Sequence, residues 1–384
     1  MKIAIVYDWI DKWGGVERLL LTLHAQYPDA DWYTSYYDKK NAPWAKNLRI
    51  KTSFINKLPT FIKKNRILSL LLYPYAFESF DLSGYDVVIS ISSSFAKGVI
   101  TKPNTKHICY LLTPTRYLWG MIDVYIPSWI QTLCAPIITK LQKWDFIAAQ
   151  RPDIILTLSK HVAKRCVEYY KREAVVVYPP FDSNYWRRIK ESLLCHPESS
   201  SGSFNAIKML KRVQHNNDKD YYLLVSRLEP YKKVELVIDM FNKREDKLII
   251  VGMGTLKEKL QKKAHHNIHF KEHISDTELA ELYTHAKALL VPQEEDFGYV
   301  ALEAQFFSCP VIFYKKSGIA ETIDYNNGSV GVATQTEEAF QHELERFEAS
   351  AYNVENRKET NLAHFEQFSK SKFINSLLSY ITKV

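Results

Sequence analysis

The sequence predicts an α/β protein made of two Rossmann-like, doubly wound domains that face each other across a cleft. Three observations support this fold class. The chain has 384 residues, more than one domain usually holds and enough for two domains with full cores. Short apolar runs alternate with helix-like spacing in two separate series, as βαβ units require. A polar, turn-rich stretch from Cys195 to Phe204 divides the two series.

The first series defines an N-terminal domain, which we place at residues 1–185. Each of its apolar runs is short and is followed by amphipathic spacing, which indicates parallel strands covered by helices. The buried strands are predicted at Ile3–Val6, Val87–Ile91, His107–Leu111 and Ile154–Leu158.

The second series defines a C-terminal domain at residues 220–364, after a linker or insertion at residues 186–219. Its strands are predicted at Tyr222–Val225, Leu248–Val251, Ile268–Phe270, Ala288–Val291 and Val311–Phe313. Residues 365–384 carry apolar side chains at helical spacing and are predicted to form a closing helix that returns toward the first domain. Doubly wound domains bind ligands at the carboxyl ends of their strands, so we expect the functional site in the cleft.

The composition is that of a globular protein and gives no indication of a secreted, membrane-spanning or zinc-binding one. Hydrophobic residues make up 46% of the chain and charged residues 24%, as in globular proteins. The apolar run after Met1 is too short for a signal peptide, and no run reaches the roughly 20 apolar residues that span a bilayer. The five cysteines are scattered, so neither a disulfide framework nor a zinc site is expected. We expect a cytoplasmic protein, with peripheral contact to the inner face of the plasma membrane left open.

The net charge of +8 is unevenly distributed. Between Lys39 and Phe77 there are nine lysines or arginines and no acid. Within this basic segment, residues 61–72 mix cations with apolar side chains. Two interpretations remain open: a helix that lies on an anionic membrane surface, or a partly buried helix with a solvated basic edge. No nucleic-acid-binding module is recognisable, so nucleic acid is not an expected partner.

The most informative segment runs from Pro292 to Ala304 and reads Pro-Gln-Glu-Glu-Asp-Phe-Gly-Tyr-Val-Ala-Leu-Glu-Ala. It follows a predicted strand and opens a helix at about Tyr299. Gly298 allows the backbone to approach a ligand closely, and the amides of Tyr299 and Val300 at the helix start suit phosphate oxygens. Two acids lie eight positions apart, Glu295 on the loop and Glu303 one helical turn further in.

This segment resembles the retaining glycosyltransferases of family 4, which have the GT-B fold and a Glu-x7-Glu motif in their C-terminal domain. Glu295 and Glu303 match that motif. The Asp-Phe-Gly between them is similar to the form seen in bacterial mannosyltransferase-like members. The resemblance implies that Glu303 holds the ribose of a nucleotide sugar and that Glu295 holds hydroxyls of the transferred sugar.

A second match is Val225-Ser-Arg-Leu-Glu-Pro-Tyr-Lys-Lys233, which resembles the family's Arg-Leu-x-Pro-x-Lys segment. Arg227 and Lys232 take the matching positions. Two cations at a strand end neutralise a diphosphate and its developing charge as the leaving group departs. On composition alone the same residues would form an ordinary basic surface turn.

Two glycine pairs also match the family. Gly14 and Gly15 follow the first strand and resemble its glycine-rich turn, where a helix start approaches the donor or acceptor. Gly252 and Gly254 follow a strand of the second domain, lack the third glycine of a dinucleotide fingerprint, and resemble the loop near the donor phosphates.

The chain departs from the family at Leu112. Relatives usually have a histidine there, just before Thr-Pro. Arg116 or Lys97 would have to replace it if that histidine contacts the sugar. The departure leaves open a non-catalytic sugar-binding or scaffold protein of the same fold, and a pyridoxal-phosphate-dependent phosphorylase is a further rival.

The leading hypothesis is a metal-independent, retaining hexosyltransferase with no resident cofactor. GDP-mannose is the first donor considered and a UDP-hexose the second, and the acceptor is a glycan or lipid-linked saccharide used to build a bacterial surface polysaccharide. No metal site is expected. The histidines between His265 and His273 lack ligand spacing, and Asp29-Ala-Asp31 comes too early in the chain to hold a diphosphate.

Overall fold

The computed structural model describes residues 1–64, 69–125, 128–195, 221–350 and 361–382. The chain divides into two compact units. The first unit contains Met1–Pro180 and Phe368–Val384, and the second contains Phe181–Gln367. Each unit has its own parallel sheet, which confirms the predicted fold class of two Rossmann-like α/β domains.

The first unit is built on a parallel sheet in which the described residues form seven strands in the order β3-β2-β1-β4-β5-β6-β7. Strands β1 and β4 are buried on both faces, because helices cover the sheet on either side. Their register pairs Ile3 with Val87 and Tyr7 with Ile91. The strands are Ile3–Tyr7 (β1), Asp31–Thr34 (β2), Arg49–Thr52 (β3), Val87–Ser92 (β4), Lys106–Leu111 (β5), Ile154–Thr157 (β6) and Val175–Val176 (β7).

The helices of the first unit connect and cover these strands. Before residue 180 they are Gly15–Gln26 (α1), Thr60–Lys63 (α2), Tyr73–Glu78 (α3), Ile122–Tyr125 (α4), Ser128–Ala148 (α5) and Lys160–Tyr170 (α6). A later helix, which we call α14, spans Lys370–Thr382 and belongs to the same unit. It buries Phe373, Leu377 and Ile381, and the ring of Phe373 meets that of Tyr110 in β5 edge to face at 5.8 Å.

The second unit repeats the architecture with six described strands in the order β10-β9-β8-β11-β12-β13. One cluster of its buried apolar side chains includes Tyr222, Leu248 and Ile312 on the strands and Phe241 and Phe340 on the covering helices. The strands are Tyr221–Val225 (β8), Lys247–Val251 (β9), Ile268–Lys271 (β10), Leu289–Val291 (β11), Val311–Tyr314 (β12) and Val330–Val332 (β13).

Seven helices accompany the second sheet in the described part of the chain. They are Ser183–Cys195 (α7), Val234–Phe241 (α8), Lys257–Lys263 (α9), Asp276–His285 (α10), Tyr299–Phe306 (α11), Glu337–Ala349 (α12) and Leu362–Glu366 (α13). Helix α10 begins with a capping box, in which Ser275 and Glu278 exchange side-chain-to-backbone hydrogen bonds.

The division into units differs from the predicted boundaries in two places. The change of unit comes at Pro180 rather than residue 185, and the return comes at Phe368 rather than residue 365. The start of the predicted linker is the helix α7, whose Trp186 is fully buried and meets Phe307 edge to face at 5.7 Å. The rest of the predicted linker, residues 196–219, lies outside the described residues.

The predicted closing helix is interrupted. Helix α13 ends at Glu366, and α14 starts at Lys370. Phe368 lies in the interruption and is buried against the ring of Tyr178, with the ring centroids 5.3 Å apart. The apolar residues that suggested the helix, from Phe368 to Ile381, all belong to the first unit, and the helix that contains most of them starts five residues later than predicted.

Candidate nucleotide-sugar site

The candidate site lies where the strand order of the second sheet reverses. Strands β8 and β11 are neighbours, although two strands separate them in sequence. In doubly wound sheets, ligands bind outside the carboxyl ends of the strands at such a switch point. The loops that follow β8 and β11 carry Lys232 and Glu295, and the structure brings these two side chains into contact.

Gly298 shapes the loop after β11. It is the residue before α11 and has a φ of +86°, a conformation that L side chains rarely adopt. A β-carbon at this position would also overlap the side chain of Ile319. Helix α11 begins at Tyr299, as the sequence predicted, so Tyr299 and Val300 supply the first amides of the helix.

An ion pair joins the two predicted catalytic loops. The ammonium of Lys232 contacts Oε1 of Glu295, and the two side chains are 10% and 17% exposed. The same carboxylate oxygen accepts a 2.8 Å hydrogen bond from Nε2 of Gln293. The backbone is fixed as well, because the amide of Gly318 donates to the carbonyl of Glu295 at 2.7 Å. Glu295 is therefore held both at its carboxylate and at its backbone.

Both cations of the loop after β8 lie beside one aromatic ring. The guanidinium of Arg227 and the ammonium of Lys232 are 5.7 and 5.3 Å from the ring centroid of Tyr231. Arg227 also donates to the Tyr231 hydroxyl. Lys232 is buried, whereas Arg227 is exposed. The arrangement places one buried and one exposed positive charge beside the same ring.

Glu303 lies inside α11 and is only 3% exposed. Its Oε2 accepts a 3.1 Å hydrogen bond from the hydroxyl of Tyr283 in α10. The Glu-x7-Glu pair therefore has two environments, with Glu295 at the loop and Glu303 in the packed interior. The contact between Tyr283 and Glu303 was not predicted, because twenty positions separate the two residues in sequence.

The loops after β8 and β9 are tied together by their backbones. The amide of Leu228 donates to the carbonyl of Met253 at 2.8 Å, and that of Leu256 donates to Leu228 at 3.0 Å. A β-carbon at Gly252 would overlap the carbonyl of Ser226, and one at Gly254 would overlap the backbone of Leu228. The two predicted phosphate-loop glycines thus permit the close contact that places their loop beside the Arg227 segment.

In the first unit, the corresponding switch point lies between β1 and β4. Asp8 ends the β1 segment and is fully buried. Its carboxylate accepts hydrogen bonds from the amides of Ser93, Phe95 and Ala96 at 2.6 to 2.8 Å, and from the Ser93 hydroxyl. Burial nevertheless raises the pKa of this carboxyl above its usual value. Asp8 therefore joins the loops after β1 and β4.

The predicted glycine turn of the first unit lies at the start of α1. Gly14 precedes the helix, and Gly15 is its first residue. The neighbouring Trp13 is 53% exposed and meets Trp44 edge to face, with ring centroids 6.3 Å apart. The indole N–H of Trp44 donates to the carbonyl of Lys12 at 2.9 Å, which fixes the pair. Sequence reasoning missed this pair, because thirty residues separate its members.

Glu17 lies in the first turn of α1 and is 5% exposed. Burial raises the pKa of its carboxyl from 4.5 to about 7, against the opposing effect of nearby backbone amides. The hydroxyl of Tyr7 lies 3.5 Å from Oε1 of the carboxylate. This acid therefore titrates close to neutral pH.

Of the two residues considered as replacements for the missing histidine, Lys97 is buried and paired, which argues against it and leaves Arg116. The side chain of Lys97 is 1% exposed, and its ammonium pairs with Oδ1 of Asp145 at 2.5 Å. The Asp145 carboxylate also accepts from Thr115, Trp119 and Tyr170, at 2.7 to 2.9 Å. Lys97 serves the interior of the first unit, where a sugar cannot reach it.

Leu112 is buried at the end of the β5 segment, where its amide donates to the carbonyl of Ser92 at 2.8 Å. The position usually held by histidine is therefore occupied by a packed apolar side chain. Arg116 is half-buried in the loop that follows.

The described residues contain no group of three or more histidine, cysteine or acidic side chains placed to hold a metal ion. Within the same residues, no helix is both long and apolar enough to cross a bilayer.

The basic segment from Lys39 to Phe77 is partly neutralised by acids that lie outside it. Arg49 pairs with Asp29 at 2.7 Å, Lys51 with Asp31 at 3.0 Å, and Lys64 with Asp38 at 2.7 Å. Four apolar side chains of the segment stand out from the surface. They are Phe54, Phe61, Leu71 and Tyr75, between 41% and 69% exposed. Part of the segment, residues 65–68, lies outside the described residues.

The sequence is similar to those of known glycosyltransferases. Residues 206–363 match the family model described as glycosyl transferases group 1. An uncharacterized glycosyltransferase from Methanocaldococcus jannaschii is 25% identical over 341 residues, which cover 85% of this chain and 81% of that protein.

Solved structures share the fold over the whole chain. HepE of Anabaena in complex with UDP covers all of both chains at a TM-score of 0.66 and 15% identity. Sucrose-phosphate synthase of Thermosynechococcus elongatus reaches 0.69 at 15% identity, over 99% of this chain and 98% of its own. WaaG, a glycosyltransferase involved in lipopolysaccharide biosynthesis, covers all of both chains at 0.59 and 15% identity. The group 1 match and the curated relative support a glycosyltransferase, and the two parallel-sheet units have the GT-B fold of these solved structures.

Proposed function

We propose that this glycosyltransferase moves a hexose from a nucleotide sugar to a saccharide acceptor, with retention of configuration and without a divalent cation. The observation that carries the proposal is the ion pair of Lys232 and Glu295 at the switch point of the second sheet. It places a buried cation, suited to a phosphate, next to a carboxylate that is suited to sugar hydroxyls.

The diphosphate is the part of the donor that needs positive charge. Arg227 and Lys232 supply it from the loop after β8, in place of a metal ion. The amides of Tyr299 and Val300 at the start of α11 add neutral donors for the distal phosphate. As the bond to the sugar breaks, negative charge grows on the departing phosphate, and these fixed donors stabilise it.

Glu295 and Glu303 bind the two remaining parts of the donor, the transferred sugar and the ribose. Glu295 holds hydroxyls of the transferred sugar, while Glu303 accepts hydrogen bonds from the ribose diol. The hydroxyl of Tyr283 fixes the Glu303 carboxylate for that role. The resemblance to family 4 implies that the leaving phosphate assists deprotonation of the acceptor, so we assign no protein general base.

Two donors are considered. The Glu-Asp-Phe-Gly form of the motif favours GDP-mannose through its resemblance to mannosyltransferase-like proteins. UDP-glucose is the alternative, because HepE has been solved in complex with it and has the same fold. No cofactor other than the nucleotide sugar is proposed.

For the acceptor, we propose a glycan or lipid-linked saccharide bound by the first unit beside Gly14 and Gly15. The exposed Trp13 supports this, because an indole face packs well against the C–H face of a sugar ring. An anionic membrane surface at the inner face of the plasma membrane would bring such an acceptor to the enzyme. The exposed apolar side chains and the nine cations of the basic segment support that contact.

The decisive test is release of nucleoside diphosphate from a panel of GDP- and UDP-sugars, with membrane extract as the acceptor. We expect release with one donor class and a large loss in Lys232→Ala and Glu295→Ala. Lys243→Ala is the matched control, because Lys243 lies in the same unit but is exposed and pairs with Glu337. If no donor supports release, the non-catalytic sugar-binding alternative replaces the enzymatic one.

The membrane contact is tested separately by liposome flotation with anionic and neutral vesicles. We expect binding to the anionic vesicles, weakened by added salt. Equal binding to both kinds of vesicle, or none, would remove the membrane from the proposal without affecting the donor site.

A further inference from the structure

We propose that the side-chain carbonyl of Gln293 accepts a hydrogen bond from one hydroxyl of the transferred hexose, which makes Gln293 a specificity-determining residue. The inference rests on the proposed function and deepens it, because it adds a sugar-recognition group beside Glu295. Gln293 follows β11, two residues after its last position.

The first observation is burial without a complete set of partners. Gln293 is 1% exposed, and its Nε2 donates to Oε1 of Glu295 at 2.8 Å. Its Oε1 is buried too, and no group in the described parts of the chain donates to it. Leaving a buried acceptor unpaired is costly, and proteins tolerate it mainly where a ligand or solvent completes the bond.

The second observation is that the carboxamide cannot be turned round. Exchange of its nitrogen and oxygen would place two acceptors against each other at Glu295. The same Oε1 of Glu295 is also in contact with the ammonium of Lys232, so both groups beside this oxygen must be donors. The NH2 group of Gln293 is therefore the end that hydrogen-bonds to Glu295, and the carbonyl oxygen does not contact that carboxylate.

Another buried glutamine in the same unit provides a contrast. Gln305 is 3% exposed, and its Nε2 donates to the carbonyls of Ala301 and Thr322 at 2.9 and 3.1 Å. Its Oε1 accepts from the amide of Asp324 at 2.7 Å. A structural glutamine in this fold is thus satisfied at both ends, which Gln293 is not.

The chemistry of the missing partner follows from the carbonyl. It needs an O–H or N–H donor, so a phosphate oxygen does not fit. The side chain of Gln293, which carries this carbonyl, is hydrogen-bonded to Glu295, and we assign Glu295 to the sugar hydroxyls. A hydroxyl of the same hexose, close to the one that Glu295 binds, is the donor that meets both conditions.

The test measures binding of the preferred nucleotide sugar and of its monodeoxy analogues by calorimetry. In the unmodified protein, we expect one deoxy position to weaken binding about 10- to 100-fold, because the buried carbonyl then stays unpaired. In Gln293→Met, which keeps the length of the side chain but has only a weakly accepting thioether, that penalty should shrink to about twofold or less. Gln293→Leu serves the same purpose if the methionine variant folds poorly.

Gln305→Met is the matched control. It should lower stability but retain the full penalty at the same deoxy position. Equal penalties in the unmodified protein and in Gln293→Met would overturn the inference and show that solvent satisfies the carbonyl, while the proposed function would stand. Absence of binding by every nucleotide sugar would instead overturn both.

Discussion

The two units use buried charge in opposite ways. In the first, the ion pair of Lys97 and Asp145 is at most 1% exposed, and donors surround the carboxylate. In the second, the ion pair of Lys232 and Glu295 is 10% and 17% exposed, and the neighbouring Gln293 has an unsatisfied oxygen. Both pairs lie near the loops that follow sheet strands, so position alone does not separate them.

The difference shows how a structural polar cluster is distinguished from a binding one. A fully satisfied, fully buried network rigidifies the fold and offers nothing to a ligand. The ion pair of Lys232 and Glu295 is less buried, and the acceptor beside it is unfilled, so it can still bind a ligand. By this criterion we place the proposed donor site in the second unit.

The largest expected effect on stability comes from Lys97, in the ion pair that we consider structural. We expect Lys97→Met to lower the free energy of unfolding by about 3–5 kcal/mol, because it leaves the Asp145 carboxylate buried without a counter-charge. Denaturant titration measures this loss. Adding Asp145→Asn should recover part of it, since the buried charge is then gone. A selective loss of activity with normal stability would show instead that Lys97 acts on substrate.

Glu295 should behave in the opposite way. We expect Glu295→Gln to lower kcat by about 10²- to 10³-fold, because the variant keeps the shape but loses the charge that faces the sugar. Steady-state kinetics with the preferred donor measure the effect, and denaturant titration checks that the protein is folded. Near-normal kcat would remove Glu295 from the reaction and weaken the contrast between the two ion pairs.

Glu17 makes the first unit sensitive to pH. Its pKa is about 7 in the folded state and 4.5 ordinarily, so the folded protein binds the proton more tightly than the unfolded one. Stability is therefore highest below about pH 4.5 with respect to this group, falls as the pH rises, and has lost up to about 3 kcal/mol above pH 7.

We expect Glu17→Gln to reduce that dependence. Unfolding curves at pH 5, 6, 7 and 8 compare the variant with the unmodified protein. The difference in stability between them should grow in favour of the variant as the pH rises. Parallel pH dependences would mean that Glu17 is not the group that titrates.

The smallest expected effect concerns the acceptor. We expect Trp13→Ala to raise the KM for the acceptor about tenfold, through loss of an aromatic contact, while the donor KM stays constant. Tyr325→Ala is the control, because Tyr325 is similarly exposed, at 54%, in the other unit. A change in the donor KM alone would show that Trp13 contacts the donor and not the acceptor.

Most of the fold was accessible from the sequence, because continuous apolar runs mark central parallel strands. Two strands that were not predicted, β3 and β13, lie at sheet edges, whereas β2, which is also absent from the predicted series, lies one strand further in. Strand β3 alternates exposed and half-buried residues within the basic segment, and β13 has only three residues. Helix α7 was missed because its apolar residues are interspersed with arginine and lysine in a segment that leads into a polar stretch.

The site was only partly accessible. Glu295, Lys232 and Gly298 could be found because each lies in a local motif after a strand. Contacts between distant segments could not, and Tyr283 and Trp44 belong to that class. Gln293 stood in the quoted segment, but only the structure shows that one end of its amide is bonded and the other is not.

The membership of α14 has a consequence for biosynthesis. This helix supplies Phe373, Leu377 and Ile381 to the first unit, yet the ribosome makes it after the whole second unit. During translation, the apolar surface around Tyr110 therefore remains uncovered by this helix until residues 181–367 have been synthesised. The second unit can complete its core before the first, which reverses the N-to-C order in which consecutive domains usually fold.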